Sequence, residues 1–426
     1  MDKIKCFNRD GYITYYDSKE CVKVNKTIKK DSKQFRAVWV STVENIDIIP
    51  FENVDQGKKY LDSIIKTCVM YNLNAIVFQV RPTCDALYNS KINPFSNVLN
   101  KDKKEDVDPG FDVLGYLVEK AKKSGIEVHV WMNPYRVTNK NLEKLGLTKD
   151  EYLDLLSPRN FAYKNRDLVI ETSEHKLVLD PASAIVRDYL VDTVLEIANN
   201  YDIKAFHIDD YFYPYDEIND PLEDEKLMKS FPYLKKQDFR RYNVNEMIRK
   251  IHEALKTVNK KIEFGISPFA VYRTNSKYRK DEDGWYRGSD NAPFAFQCYS
   301  GLYSDVYLWM KEGWIDYVTP QDYFPLDNVK VTEEGNVVEI VKYADIAKWW
   351  NEIAKETKTK LYIGMAIYRV GGEGVWLNEE EFFNQLRYND TLDHVSGFTL
   401  FTYHNLIDKN NDVLVKVQER LKDVWK

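Results

Sequence analysis

The stretch Ala205-Phe206-His207-Ile208-Asp209-Asp210-Tyr211 is the part of the chain on which the fold reading turns. Side chains on a β-strand alternate between two faces. Phe206 and Ile208 then suit a dry layer beneath helices, while His207 and Asp209 fall together on the opposite face. Asp210 follows on the parity of Phe206, where the strand gives way to a loop. A buried strand that ends in carboxylates asks for neighbours that bury one face and open the other end to solvent.

Those neighbours recur on both sides. From Phe35 onward short apolar strands alternate with longer amphipathic stretches, the mark of βαβ units and a parallel sheet. Eight strands are expected, at Arg36–Val43, Ala75–Arg81, Glu127–Asn133, Ala205–Asp210, Ile262–Pro268, Tyr317–Gln321, Leu361–Ile367 and Gly397–Thr402. Helical periodicity lies between them, at Tyr60–Met70, Val113–Ser124, Ile185–Asn199, Asn243–Thr257, Ser304–Glu312, Ile346–Lys355 and Glu379–Arg387, with a closing helix at Val413–Trp425. Gly125 and Gly313 each stand between a helix and a strand, where a left-handed residue ends a helix. Eight strands with helices between them predict an α/β fold, a (β/α)8 TIM barrel, whereas six or seven would favour an open sheet. The connections after the third strand (Pro134–Lys204) and the fifth (Phe269–Ile315) are long, as active-site loops on barrels often are. Residues 1–34 read as an N-terminal extension and 35–426 as the barrel; 326–341 read as a loop or hairpin.

Composition agrees. A chain of 426 residues exceeds the roughly 250 of a plain barrel and leaves room for loop insertions. The net charge of −6 gives no electrostatic reason to bind nucleic acid. The aromatic share of 14%, including 30 Tyr, fits either a large core or a groove that stacks on sugar rings. Cys6, Cys21, Cys68, Cys84 and Cys298 are odd in number and widely spaced, so free thiols are expected. No apolar run has the length of a membrane span. The segment Met1–Lys5 has no signal-peptide character, so the sequence as it stands reads as cytoplasmic, or as cell envelope or secreted if an export signal has been removed. The oligomeric state is not legible.

In this fold the chemistry sits at the C-terminal ends of the strands. Alternation aims Trp39 and Ser41, Gln79 and Arg81, His129, Trp131 and Asn133, His207 and Asp209, Ser267, and Thr319 and Gln321 into the barrel. Leaving such groups buried without partners would cost about 1–3 kcal/mol each, so the ring favours a solvated, ligand-binding mouth. Hydrolysis of a glycosidic bond needs one protonated and one ionised carboxyl. Asp209 is the first choice. Asp210 is either its partner or a loop cap. Asp322 ranks next, then Asp85, with Glu44 and Glu373 also at strand ends. Arg81 is expected to hold a carboxylate or an acidic sugar substituent, and Trp39, Tyr135, Tyr211 and Tyr213 to form stacking walls. Gln79, Asp85, Asn133, His207, Ser267 and Gln321 complete the expected substrate contacts. No cofactor is expected, since no nucleotide-binding glycine motif is present. Two other readings compete. One is a carbohydrate-binding barrel without catalysis. The other is a metal-dependent deacetylase or amidase built on His129, His207 and Asp209, against which stands the commoner role of such histidines as buried, hydrogen-bonded core groups.

Several segments together resemble the glycosyl-hydrolase-like 10 family of bacterial barrel hydrolases. They are Arg36-Ala37-Val38-Trp39-Val40 with Asn45-Ile46-Asp47, Phe78-Gln79-Val80-Arg81-Pro82 with Asp85-Ala86-Leu87-Tyr88, and Val128 to Arg136. His207 to Pro214, Gly265 to Phe269 and Glu312 to Tyr317, leading on to Pro320-Gln321, continue the likeness, which spans about Phe35 to Leu406. The resemblance implies a barrel, glycoside hydrolysis without a cofactor, and a cell-wall glycan or related polysaccharide as substrate. The chain departs from the family pattern at Asp322, where an apolar residue is usual, and in showing no export or lipoprotein signal.

Overall fold

The computed structural model describes residues 1–42, 45–218, 223–334 and 336–426. Eight parallel strands run in chain order: β1 (Phe35–Val40), β2 (Ala75–Arg81), β3 (Glu127–Met132), β4 (Ala205–Ile208), β5 (Glu263–Ile266), β6 (Tyr317–Val318), β7 (Lys360–Met365) and β8 (Val395–Leu400). They close into one barrel, the last strand pairing with the first through Gly397 opposite Phe35 and Leu400 opposite Val38. The expected (β/α)8 architecture is therefore the observed one.

Helices cover the outside: α1 (Val54–Met70), α2 (Val113–Lys123), α3 (Ala184–Asn200), α4 (Lys236–Val258), α5 (Val306–Lys311), α6 (Tyr343–Glu356), α7 (Glu379–Asn389) and α8 (Asp412–Val424). Local chemistry sets their starts. Asn53, Asp112, Ser183, Asp305 and Asn411 each accept a backbone N–H of the first turn, satisfying a donor that the helix leaves free. Asn53 is why α1 begins six residues before the apolar period is visible at Tyr60. Gly125 and Gly313 have φ of 70° and 69°, the left-handed geometry that lets α2 and α5 stop and the next strand begin.

The barrel interior is packed. Ala37, Trp39, Val77, Trp131, Tyr317 and Tyr362 share one buried cluster. Gly265 makes room for it: a Cβ there would lie 1.9 Å from the Tyr317 ring. The Tyr317 hydroxyl in turn meets Nδ1 of both His129 and His207, each at 2.9 Å.

Several strands are shorter than their apolar patterns. β1 stops at Val40, and Val43 and Glu44 lie outside the described residues. β4 stops at Ile208, so Asp209 and Asp210 open the following loop. β6 pairs only at Tyr317 and Val318, though Gln321 still bridges to Phe269 and Gly364. The long β3–β4 connection carries a three-stranded sheet of Arg136–Thr138, Val169–Glu171 and Leu177–Leu179. Val329–Val331 pairs with Val337–Glu339, a hairpin within 326–341.

The first 34 residues pack on the barrel's flank. Asp2–Lys3 pairs with Lys23–Val24, while Ile13, Val22 and Val24 join the main core. The Lys342 ammonium donates to the carbonyl of Thr14 at 2.8 Å, and Arg9 pairs with Asp327 at 2.6 Å. All five cysteines are free thiols. Among the described residues no helix is long and apolar enough to cross a membrane.

Candidate active site

A cavity of about 330 Å³ opens at the C-terminal ends of the strands. Asp209 and Asp210 form part of its floor, with Trp39, Ser41, Gln79, Trp131, Ser267 and Gln321 around them. Seven of these eight are residues that strand alternation aims inward; Asp210, on the other parity, joins them, and Arg81 and Asn133 do not line the cavity.

Asp209 is held from three sides. Trp131 Nε1 donates to Oδ2 at 3.2 Å, the Asn133 side-chain amide donates to the same oxygen, and Tyr211 N donates to Oδ1 at 3.0 Å. Asn133 is itself gripped by Gln79, whose carbonyl accepts from Thr42 N at 2.7 Å and Ser41 Oγ at 3.1 Å. Burial raises the Asp209 pKa, opposed by the nearby Arg136 charge and by these donors. Hydrogen bonds to the ionised form favour ionisation.

Asp210 has a different environment. The Tyr215 hydroxyl donates to its Oδ2, and the Gln321 side chain also bonds it. Burial, then the charge of Asp209, push its pKa up to about 7. Of the two neighbours, Asp209 ionises first and Asp210 keeps its proton to near neutrality, the division an acid/base pair needs.

Ser267 and His207 form a prop beneath the mouth. His207 Nε2 meets Ser267 Oγ at 2.8 Å, and burial holds the imidazole well below its ordinary pKa, so it is neutral. His207 faces inward as expected but sits one layer down. With Tyr317 bound to both histidines, the ligands imagined for a metal are taken up by the core. Among the described residues, no three His, Cys, Asp or Glu come together as a metal site.

Other expected contacts lie elsewhere. Arg81 does not follow Gln79 into the barrel, because the β2–β3 register slips between them and Arg81 comes to pair with Met132. Such a bulge re-aims the side chain. The guanidinium is fully buried outside the mouth, donating to Pro134 O at 3.2 Å and Tyr189 Oη at 3.1 Å. Asp322 is fully buried on the parity opposite Gln321 and has Asp345 and Tyr343 as neighbours. Burial raises its pKa well above the carboxylate range, so it is a neutral core group and not the second carboxyl of this mouth. Asn133 braces Asp209 from behind and does not border the cavity. Asp85 and Tyr135 border two other hollows, of about 280 and 300 Å³. Tyr213 is buried edge-on against Tyr303 at 5.0 Å with Arg240 over its ring, so it stacks on protein. Glu373 is exposed ahead of the Gly374–Leu377 turn, and Glu44 lies outside the described residues.

Five residues of the mouth escape the strand pattern: Arg136, Asn139, Tyr323, Phe401 and Ile46. Arg136 stacks on Tyr211 with its guanidinium carbon 4.4 Å from the ring centre. They lie in loops, in the bend just past β8 or in the short sheet of the β3–β4 connection, where alternation does not fix an orientation.

With this geometry, comparison with known proteins is direct. Residues 34–382 match the model of the Glycosyl hydrolase-like 10 family. The chain belongs to that family. It is similar to glycosyl hydrolase YngK of Bacillus subtilis, 31% identical over 388 residues that cover 88% of this chain and 69% of that one. It is likewise 31% identical to glycosyl hydrolase DigH of Escherichia coli K12, over 395 residues covering 88% and 84% of the two chains. Among solved structures, the glycoside hydrolase domain of PgaB (BpsB) from Bordetella bronchiseptica shares the fold, with a TM-score of 0.51 at 10% identity over 92% of this chain and 99% of that one. An α-L-fucosidase of Paenibacillus thiaminolyticus does so with a TM-score of 0.50 at 11% identity, over 91% of this chain but only 49% of the other. At such identities the likeness speaks for the barrel alone.

Proposed function

We propose that this member of the Glycosyl hydrolase-like 10 family is a glycosidase acting on a bacterial cell-wall glycan or related polysaccharide, with Asp210 as general acid and Asp209 as the ionised carboxylate. The observation that carries the reading is the unequal pair in one mouth: Asp209 fixed by three donors, Asp210 protonated to about pH 7. Asp210 gives its proton to the glycosidic oxygen as the C–O bond breaks and the bonding electrons leave with that oxygen. The positive charge that develops on the sugar is stabilised by Asp209. Water then adds to the sugar, and the proton it loses returns to the carboxyl pair. Trp39, Trp131 and Tyr211 offer aromatic faces to the sugar's C–H surfaces. The names of the relatives support hydrolysis of glycosides and leave the glycan open.

The test is incubation of the wild type and Asp210→Asn with purified cell-wall glycan strands and with chitin oligosaccharides, products being read by mass spectrometry. New reducing ends from the wild type, reduced at least a hundredfold in the variant, are expected. Glycan binding without any product would replace this reading with that of a binding barrel.

A further inference from the structure

The barrel closes where its last strand meets its first. β8 and β1 pair as far as Leu400 opposite Val38, and a bond from Tyr403 N to Trp39 O at 3.0 Å carries the seam on toward the mouth. Just beyond, both edges line the cavity, Ser41 on the β1 side and Phe401 on the β8 side.

Asp47, 2% exposed, lies across this seam. Ser41 N donates to its Oδ2 at 2.6 Å, and Asp47 N donates back to Ser41 O at 3.0 Å. On the other side Thr402 Oγ1 donates to Oδ1 at 2.9 Å and His404 N donates to the same oxygen at 2.7 Å. One carboxyl thus grips the end of the first strand and the end of the last. All three donors are neutral groups, and burial pushes the carboxyl's pKa up to about 6. A charge buried in this way is expensive, and apolar packing closes such gaps without it. The loop that carries Asp47 is fixed as well. Asn45 takes the left-handed region at φ 59°, which Asn tolerates, and its side-chain amide donates to Ile48 O and Val98 O, both at 2.9 Å. Between the two, Ile46 stands on the cavity wall.

Two routes lead from Asp47 to the mouth. On one, Ser41 Oγ donates to Gln79 Oε1 at 3.1 Å, Gln79 holds Asn133, and Asn133 donates to Asp209. On the other, Thr402 follows directly on Phe401, whose ring stands 5.9 Å from those of Trp39 and Tyr323.

We infer that Asp47 is a positioning residue of the active site: it fastens the barrel seam at the mouth, so that Asp209 keeps its donors and Phe401 its place on the wall. This rests on the glycosidase reading and adds to it a residue outside the cavity lining. A fastening that served the fold alone would leave turnover by the folded enzyme unchanged. One that sets the mouth acts on kcat through Ser41 and on KM through Thr402.

The test measures kcat and KM on purified cell-wall glycan strands, affinity for chitin oligosaccharides by tryptophan fluorescence, and Tm. It uses the wild type, Asp47→Asn, Thr402→Val and the double variant, each assayed well below its Tm. Asp47→Asn keeps the shape but turns an amide NH2 toward donors, and kcat is expected to fall about tenfold or more, as misplaced reacting groups make it fall. Thr402→Val removes one donor and little volume, and is expected to raise KM about threefold or more with kcat near wild type. The double variant should be little worse than Asp47→Asn, because both changes break one contact. Variants that lose Tm but keep the wild-type kcat and KM would overturn the inference and leave the glycosidase reading intact. Should Asp47→Asn not fold, Thr402→Val decides alone, an unchanged KM counting against the inference. A wild type that binds glycan without cleaving it removes the glycosidase reading, and affinity then decides in place of KM. A wild type that neither binds nor cleaves removes both.

Discussion

Trp131 Nε1 and Asp209 Oδ2 lie 3.2 Å apart and join adjacent barrel strands: Trp131 is next to last in β3, and Asp209 follows the His207–Ile208 segment of β4 with which Trp131 and Met132 are paired. The bond ties the carboxylate to the sheet and not to a mobile loop. Trp131→Phe keeps the ring's bulk and removes the donor. A hydrogen bond to a charged group is worth about 1.5–3 kcal/mol, so kcat is expected to fall about 10- to 150-fold. The acid limb of the pH profile should move upward, because Asp209 loses support for its ionised form. A variant with unchanged kcat and pH profile would show that the indole serves packing alone.

Gln79 acts at one remove. It grips Asn133, which grips Asp209, while its carbonyl accepts from Thr42 N at 2.7 Å. Gln79→Leu strands buried groups on both sides, each costing about 1–3 kcal/mol. A lower Tm and a lower kcat are expected together. Gln79→Glu, which keeps the acceptor toward Thr42, should recover most of the Tm and little of the activity. Recovery of both would place Gln79 outside the support of Asp209.

How much of this was legible follows from where alternation holds. The eight strands, the inward set of Trp39, Gln79, Asp209 and Ser267, and the histidine layer follow from a two-residue period. Arg81 does not, because a bulge adds one residue to β2 without any mark in the apolar pattern. Asp210 was assigned the outer parity, yet β4 stops at Ile208, so alternation no longer governs it and both carboxyls reach the mouth. Asp322, the next-ranked carboxyl, directly follows Gln321, and neighbours along an extended chain face opposite ways, so it is buried away from the mouth. Arg136, Asn139 and Tyr215 sit in the insertion after β3 and the loop after β4, and only the tertiary fold brings them to the site.

If Asp210 is the general acid proposed above, it sets the alkaline side of activity. Its pKa of about 7 means that the protonated acid is lost as pH rises past neutrality, and kcat should fall with it. The same shift bears on stability. A carboxyl raised from 3.8 to about 7 contributes stability that is fully present below about pH 4 and is lost as pH climbs through the folded value. Asp210→Asn removes that dependence along with the acid. Relative to wild type, its unfolding free energy should therefore rise between pH 5 and pH 8 by about 1–3 kcal/mol. Comparing the two proteins at each pH cancels the titration of buried carboxyls that do not interact with Asp210; Asp209, whose charge acts on Asp210, is controlled by repeating the comparison in an Asp209→Asn background. A difference that does not grow with pH would mean that Asp210 ionises at an ordinary carboxylate pKa.

Gly265 is the position where backbone and ring approach most closely beneath the site. An added Cβ would lie 1.9 Å from the Tyr317 ring, with further ring atoms at 2.1 and 2.2 Å. Tyr317 cannot retreat freely, since its hydroxyl is shared by His129 and His207 and its ring lies 5.4 Å from that of Tyr362. Gly265→Ala must therefore displace the ring, and overpacking of a filled core costs about 1–3 kcal/mol or more. The displaced hydroxyl releases His207, which supports Ser267 at the cavity wall. Lower Tm and lower kcat are both expected. The double variant Gly265→Ala with Tyr317→Phe separates the causes: removing the hydroxyl frees the ring to shift but leaves both histidines without their partner. It should be no more stable than Gly265→Ala if those bonds matter, and more stable if the steric clash is the whole effect.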